Sequence, residues 1–80
     1  MQVLFFGQLR EALGTANLKI DSRVETVQDL KQLLGEKGDV WQEYLFKHSC
    51  LCAVNQVLAQ DTHALKEGDE VAFFPPVTGG

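Results

Sequence analysis

Hydrophobic positions along the chain switch between two periods. At the start, Val3, Leu4, Phe5 and Phe6 form a run of strand formers over residues 2–6, with Val3 and Phe5 facing one way and Leu4 and Phe6 the other. Leu9 and Leu13 are then four apart and Gly14 follows, which predicts a short helix over 8–13. Residues 17–20 read as a second strand, antiparallel to the first because the link is short. The clearest helix opens at Thr26, where Asp29 three positions on completes a capping-box-like start and suits the positive helix end. Val27, Leu30, Leu33 and Leu34 make one apolar stripe at helical spacing, and Lys37 with Gly38 supplies a basic last turn and a left-handed stop. Residues 40–46, carrying Val40, Trp41, Tyr44 and Leu45, fit either a helical turn or a loop padded under the sheet.

The second half returns to strand patterning. Residues 50–54 and 57–58 flank Asn55-Gln56 and predict a hairpin, although Asn-Gln is a weaker turn pair than Asn-Gly. Residues 64–69 form a polar turn around one buried leucine, Leu65, and residues 70–74 close the sheet with Val71 and Phe73 on one face and Ala72 and Phe74 on the other. Strand, short helix, strand, long helix and three further strands predict an α+β roll: a mixed sheet of four to five strands with one long helix packed across it. That is the β-grasp, or ubiquitin-like, arrangement. The domain is expected over residues 1–74, with residues 75–80 as an extended arm.

Composition narrows the classes of function. Eighty residues make one domain, and 45% hydrophobic against 22% charged residues places it among globular rather than disordered chains. A net charge of −4 without a basic cluster argues against nucleic acid and is compatible with docking onto a basic partner. The apolar start is too short for a signal peptide, and no run approaches the ~20 residues of a membrane span, so a soluble cytoplasmic protein without membrane contact is expected.

Few residues suggest side-chain chemistry. There is no glycine-rich phosphate loop, no Ser/His/Asp set and no paired-cysteine zinc pattern. His48, Cys50 and Cys52 would share one face if all lay in a strand, but two small free cysteines are more simply core residues; no metal site is assigned. The carboxylates are scattered over turns, caps and solvent faces, some of them candidates for a docking surface.

The end of the chain is different. Phe73-Phe74 closes a strand, Pro75-Pro76 cannot continue it, and Val77-Thr78-Gly79-Gly80 follows. Proline fixes φ and has no N–H for a ladder, so the arm should leave the domain in extended form. Six such residues reach about 20 Å. A stiff base and a tip without side chains suit delivery of the terminal carboxylate into another protein's narrow site.

Three blocks then carry a family resemblance: Val3-Leu4-Phe5-Phe6-Gly7-Gln8-Leu9-Arg10-Glu11, Ala53-Val54-Asn55-Gln56, and the run from Gly68 through Asp69-Glu70-Val71-Ala72 to Phe73-Phe74-Pro75-Pro76-Val77-Thr78-Gly79-Gly80. The chain resembles the ubiquitin-like sulfur carriers, and within them the small subunits of molybdopterin synthase. Gly-Gly alone would equally fit a thiamin sulfur carrier or a protein modifier; the Phe-Phe-Pro-Pro-Val-Thr run is what resembles the molybdopterin branch. The resemblance implies that Gly80 is adenylated by a ubiquitin-activating-like adenylyltransferase using ATP. Sulfur from a sulfurtransferase then replaces AMP, leaving a C-terminal thiocarboxylate. It further implies that this arm enters the synthase large subunit, in a two-plus-two heterotetramer, and gives sulfur to a cyclic pyranopterin monophosphate precursor bound there, building the dithiolene. No cofactor is then bound by the chain itself.

Under that reading Gly80 carries sulfur and Gly79 permits close backbone approach. Thr78 and Val77 contact the tunnel, and Pro75 and Pro76 reduce the entropy lost on threading. Leu4, Phe6, Leu58, Ala72 and Phe74 are expected on the sheet face turned from the helix, with Phe6, Leu58 and Phe74 as partner contacts and Arg10 beside them for a partner carboxylate. For Leu4, a second core wall under the Trp41 segment is an equal alternative. The competing functions are a thiamin-type carrier or modifier, a plain interaction module with an incidental arm, and a metal or redox role for His48, Cys50 and Cys52.

Overall fold

A computed structural model describes residues 1–76. Five strands form one sheet in the order β2-β1-β5-β3-β4, where β1 is Gln2–Phe5, β2 Asn17–Lys19, β3 Leu51–Val54, β4 Val57–Ala59 and β5 Glu70–Phe74. The first and last strands are adjacent and parallel at the centre, with Phe5 opposite Phe73, and every other pairing is antiparallel. Alternation in β1, β3 and β5 puts Val3, Phe5, Cys52, Val54, Val71 and Phe73 on one buried face. The helices cover that face, so the mixed-sheet α+β roll expected from the pattern is the fold found.

The helical layer differs from one long helix. Helix α1 spans Gly7–Leu13 and stops at Gly14 in the left-handed conformation, φ 74° and ψ 17°. Helix α2 spans only Val27–Gly35; the Thr26 hydroxyl accepts the Asp29 N–H at 3.2 Å, the cap read from the sequence. Its end is two residues earlier than Lys37-Gly38 implied. The N–H groups of Glu36, Lys37 and Gly38 bond carbonyls three positions back, tightening the chain into a turn. Gly38, at φ 154° and ψ 178°, takes a positive φ that favours glycine and starts helix α3, Asp39–Gln42, instead of closing α2. Gly35 is buried where the two helices meet: a Cβ there would lie 2.6 Å from Gln42 Nε2, so packing rather than a left-handed turn fixes this corner.

Residues 40–46 resolve as helix. After α3 the chain runs through a π turn, Glu43–Lys47, closed by the His48 N–H donating to the Glu43 carbonyl at 3.0 Å. The wider turn sends Trp41 and Leu45 inward. Trp41 meets Phe5 edge-on at 5.5 Å between centroids, and Phe5 stacks with Phe73 at 6.0 Å. Leu9, Leu30 and Leu34 complete this core under the helices.

The β3–β4 hairpin turns at Asn55 (φ 50°) and Gln56 (φ 71°), both left-handed as a two-residue hairpin requires. Side-chain bonds hold it there: Asn55 Nδ2 donates to Asp69 Oδ1 at 2.9 Å, and Asn55 Oδ1 accepts the Glu70 N–H at 3.0 Å. Asp69 Oδ2 also accepts the Lys66 N–H at 2.7 Å. That backbone donor, then Asn55, holds the Asp69 carboxyl below its ordinary range.

Candidate functional site: the foot of the C-terminal arm and the outer sheet face

The closing strand is gripped on both sides up to its last residue. Phe6 N–H donates to the Phe73 carbonyl at 3.1 Å, and Leu51 stands opposite Phe74 in β3. One step further, the parallel register brings Gly7 beside Pro75. Gly7 is left-handed, φ 58°, and a Cβ at this position would sit 3.2 Å from Pro75 Cγ. Neither proline can donate a ladder bond, so the sheet ends here and the chain departs. Pro75 is half-buried against the domain and Pro76 exposed. Val77, Thr78, Gly79 and Gly80, the residues expected to thread and react, lie outside the described residues.

The outer sheet face carries the apolar residues expected of it. Leu4, Ala72, Ala53 and Leu58 stand in one row across β1, β5, β3 and β4. Phe74 and Leu51 form the next row, beside Phe6. Leu58 is 70% exposed and Phe6 47%, while Leu4, Ala72 and Phe74 are half-buried. Trp41 lies on the opposite, core side against Phe5, so it does not wall in Leu4. Leu51, 39% exposed, and Ala53 belong to this face although they were not singled out. The signal was their alternation with buried Cys52 and Val54. Arg10 is exposed on α1, one turn after Gly7, and makes no ion pair among the described residues.

On the helix side of the foot lies a groove of about 470 Å³, lined by Gln8, Tyr44, His48, Ser49, Pro75 and Pro76. Tyr44 and His48 stack on each other in its wall at 4.8 Å with 19° between planes, and His48 Nε2 is 3.3 Å from Oε2 of Glu43, which stands outside the lining. Sequence patterning missed this site because a π turn, not a helix or strand period, brings these residues together.

The common face that a strand would give His48, Cys50 and Cys52 does not form. Strand β3 begins at Leu51, so His48 and Cys50 precede it, and His48 is engaged with Glu43 and Tyr44. Both cysteines are free thiols. Burial pushes Cys50 up to about 11 and Cys52 up to about 12, so neither is a thiolate near neutrality. Among the described residues no group of three His, Cys, Asp or Glu is placed to hold a metal ion, and no helix is long and apolar enough to cross a membrane.

Comparison with known proteins adds four findings. The ThiS family model matches residues 3–80. The molybdopterin synthase sulfur carrier subunit of Escherichia coli is 46% identical over 80 residues, covering 100% of this chain and 99% of its own. Among solved structures, a chain from the complex of subunits 1 and 2 of Helicobacter pylori molybdopterin-converting factor is 28% identical, with TM-score 0.70 over 99% of this chain and 96% of its own. SAMP1 of Haloferax volcanii is 30% identical, with TM-score 0.74 over 99% of this chain and 97% of that one.

Proposed function

Because the chain belongs to the ThiS family, we propose that it is the sulfur-carrier subunit of a molybdopterin synthase, with the Gly80 α-carboxyl as its reactive group. The observation that carries the reading is the full-length match to a sulfur carrier subunit, running through the final glycines of a chain whose sheet ends at a proline pair. A carboxylate is a poor electrophile. A ubiquitin-activating-like enzyme therefore joins it to the α-phosphate of ATP, releasing pyrophosphate; the terminal sulfur of a sulfurtransferase persulfide then displaces AMP, and a second thiol cleaves the resulting acyl disulfide to leave the thiocarboxylate. The chain contributes no catalytic side chain. It contributes the stalk (Pro75, Pro76), the tunnel contacts (Val77, Thr78), the slim approach (Gly79) and the reacting carbonyl (Gly80).

The large subunit is the natural acceptor, since the Helicobacter pylori relative was solved as a complex of subunits 1 and 2. Phe6, Leu58 and Phe74 are positioned to be its apolar contacts, and an exposed patch of this kind is best explained by a partner. Arg10 is the candidate for a polar contact beside them. Incubation with the activating enzyme, ATP and a sulfur donor is expected to raise the intact mass by about 16 units as sulfur replaces oxygen. Removing Gly80 should abolish that gain without changing the thermal unfolding curve; a truncated protein that still delivers sulfur would refute the role. A second reading, attachment to lysines as a modifier, draws support from the likeness to SAMP1. It predicts amide-linked adducts to other proteins, which the sulfur-carrier reading does not.

A further inference from the structure

The Tyr44–His48 groove is not used by the reactions above. It lies at the foot of the arm, on the opposite side of the exit from the outer sheet face. From Pro76 to Gly80 is four residues, at most about 13 Å. An enzyme that encloses Gly80 must therefore bring the rim of its channel against this foot. Resting on the sulfur-carrier reading, we propose that the groove receives an arginine side chain from the rim of the adenylating enzyme.

The chemistry of the groove fits that group. Tyr44 and His48 already form a stacked pair, and the Glu43 carboxylate beside them is about half exposed, with 52% of its side chain accessible. His48 contacts Oε2 alone, and Oε1 has no side-chain partner among the described residues. A guanidinium is planar, stacks on aromatic faces and donates along a fork to carboxylate oxygens. Lysine, a point charge, could also lie over a ring but lacks the planar fork that stacks flat while donating to both sides. The net charge of −4 favours approach of a cationic partner at low ionic strength. The π turn matters as well: its i→i+5 closure from His48 to Glu43 brings Glu43, Tyr44 and His48 to one side, so the receptor is formed before binding and little ordering is lost.

ATP–pyrophosphate exchange by the same organism's adenylating enzyme, followed against carrier concentration, tests this. Glu43→Gln and Tyr44→Ala should each raise KM for the carrier about tenfold with kcat within about twofold, and Tyr44→Phe should match the unchanged protein. Glu43 is a surface residue, so its variant reports even if Tyr44→Ala unfolds. An unchanged KM for Glu43→Gln overturns the arginine assignment, while exchange with the unchanged carrier leaves the sulfur-carrier reading standing. If the unchanged carrier supports no exchange at all, that reading falls and this inference falls with it.

Discussion

Gly7 shows how one residue sets where the arm begins. Its positive φ turns the chain from β1 into α1, and its missing side chain lets Pro75 close against the backbone. Gly7→Ala places a Cβ in left-handed backbone and 3.2 Å from Pro75 Cγ. A loss of about 1–2 kcal/mol is expected from urea unfolding midpoints. The cysteines give a pH signature. Their folded-state values, about 11 for Cys50 and about 12 for Cys52, lie above the ordinary 9.0, so the folded protein keeps protons that the unfolded chain releases. Their contribution is therefore complete below pH 9 and is lost as pH rises from 9 toward 12. Unfolding midpoints measured at about pH 8 and about pH 10.5 should fall across that interval, and less steeply in a Cys50→Ala/Cys52→Ala variant.

At the scale of elements, local chemistry decided what sequence reading could see. The Thr26 cap and the alternation of β5 are short-range signals and appear as expected; of the Val27, Leu30, Leu33 and Leu34 stripe, three are buried and Leu33 only half so. The end of α2 was misplaced because Gly35 is fixed by α3 packing on it, a contact with no counterpart in local propensity. Lys31 was invisible for a related reason. It points from α2 into a nearly closed site, its side chain 10% exposed, where Nζ is 3.4 Å from Asp61 Oδ1 and 5.2 Å from the centre of the Phe46 ring. Asp61 is itself 55% exposed, so water screens the pair and it contributes at most about 1 kcal/mol. The aliphatic stem is the larger part of the fit. Lys31→Met should leave stability within about 1 kcal/mol in chemical denaturation, whereas Lys31→Glu, which buries a like charge facing Asp61, should cost about 3 kcal/mol or more.

The whole molecule separates its work between two faces and one end. The helix-covered face holds the core, Phe5, Trp41 and Phe73 at its centre, and the other keeps Phe6 and Leu58 in water. Phe6→Glu or Leu58→Glu should leave the unfolding midpoint nearly unchanged and weaken binding to the large subunit at least tenfold by calorimetry. The faces were legible in the sequence because a sheet sorts residues by parity. The groove was not, because it depends on a π turn meeting a proline pair far away in the chain.

The parallel pairing of β1 with β5 has a practical corollary. Both strands run the same way, so Met1 and Pro75 sit at opposite ends of the sheet. A fluorophore, affinity tag or surface tether joined ahead of Met1 would stand well clear of Pro75, whereas any fusion after Gly80 would turn the carboxyl proposed to react into an amide. Immobilised through its first residue, the domain would hold Pro75 at the end of the sheet farthest from the support.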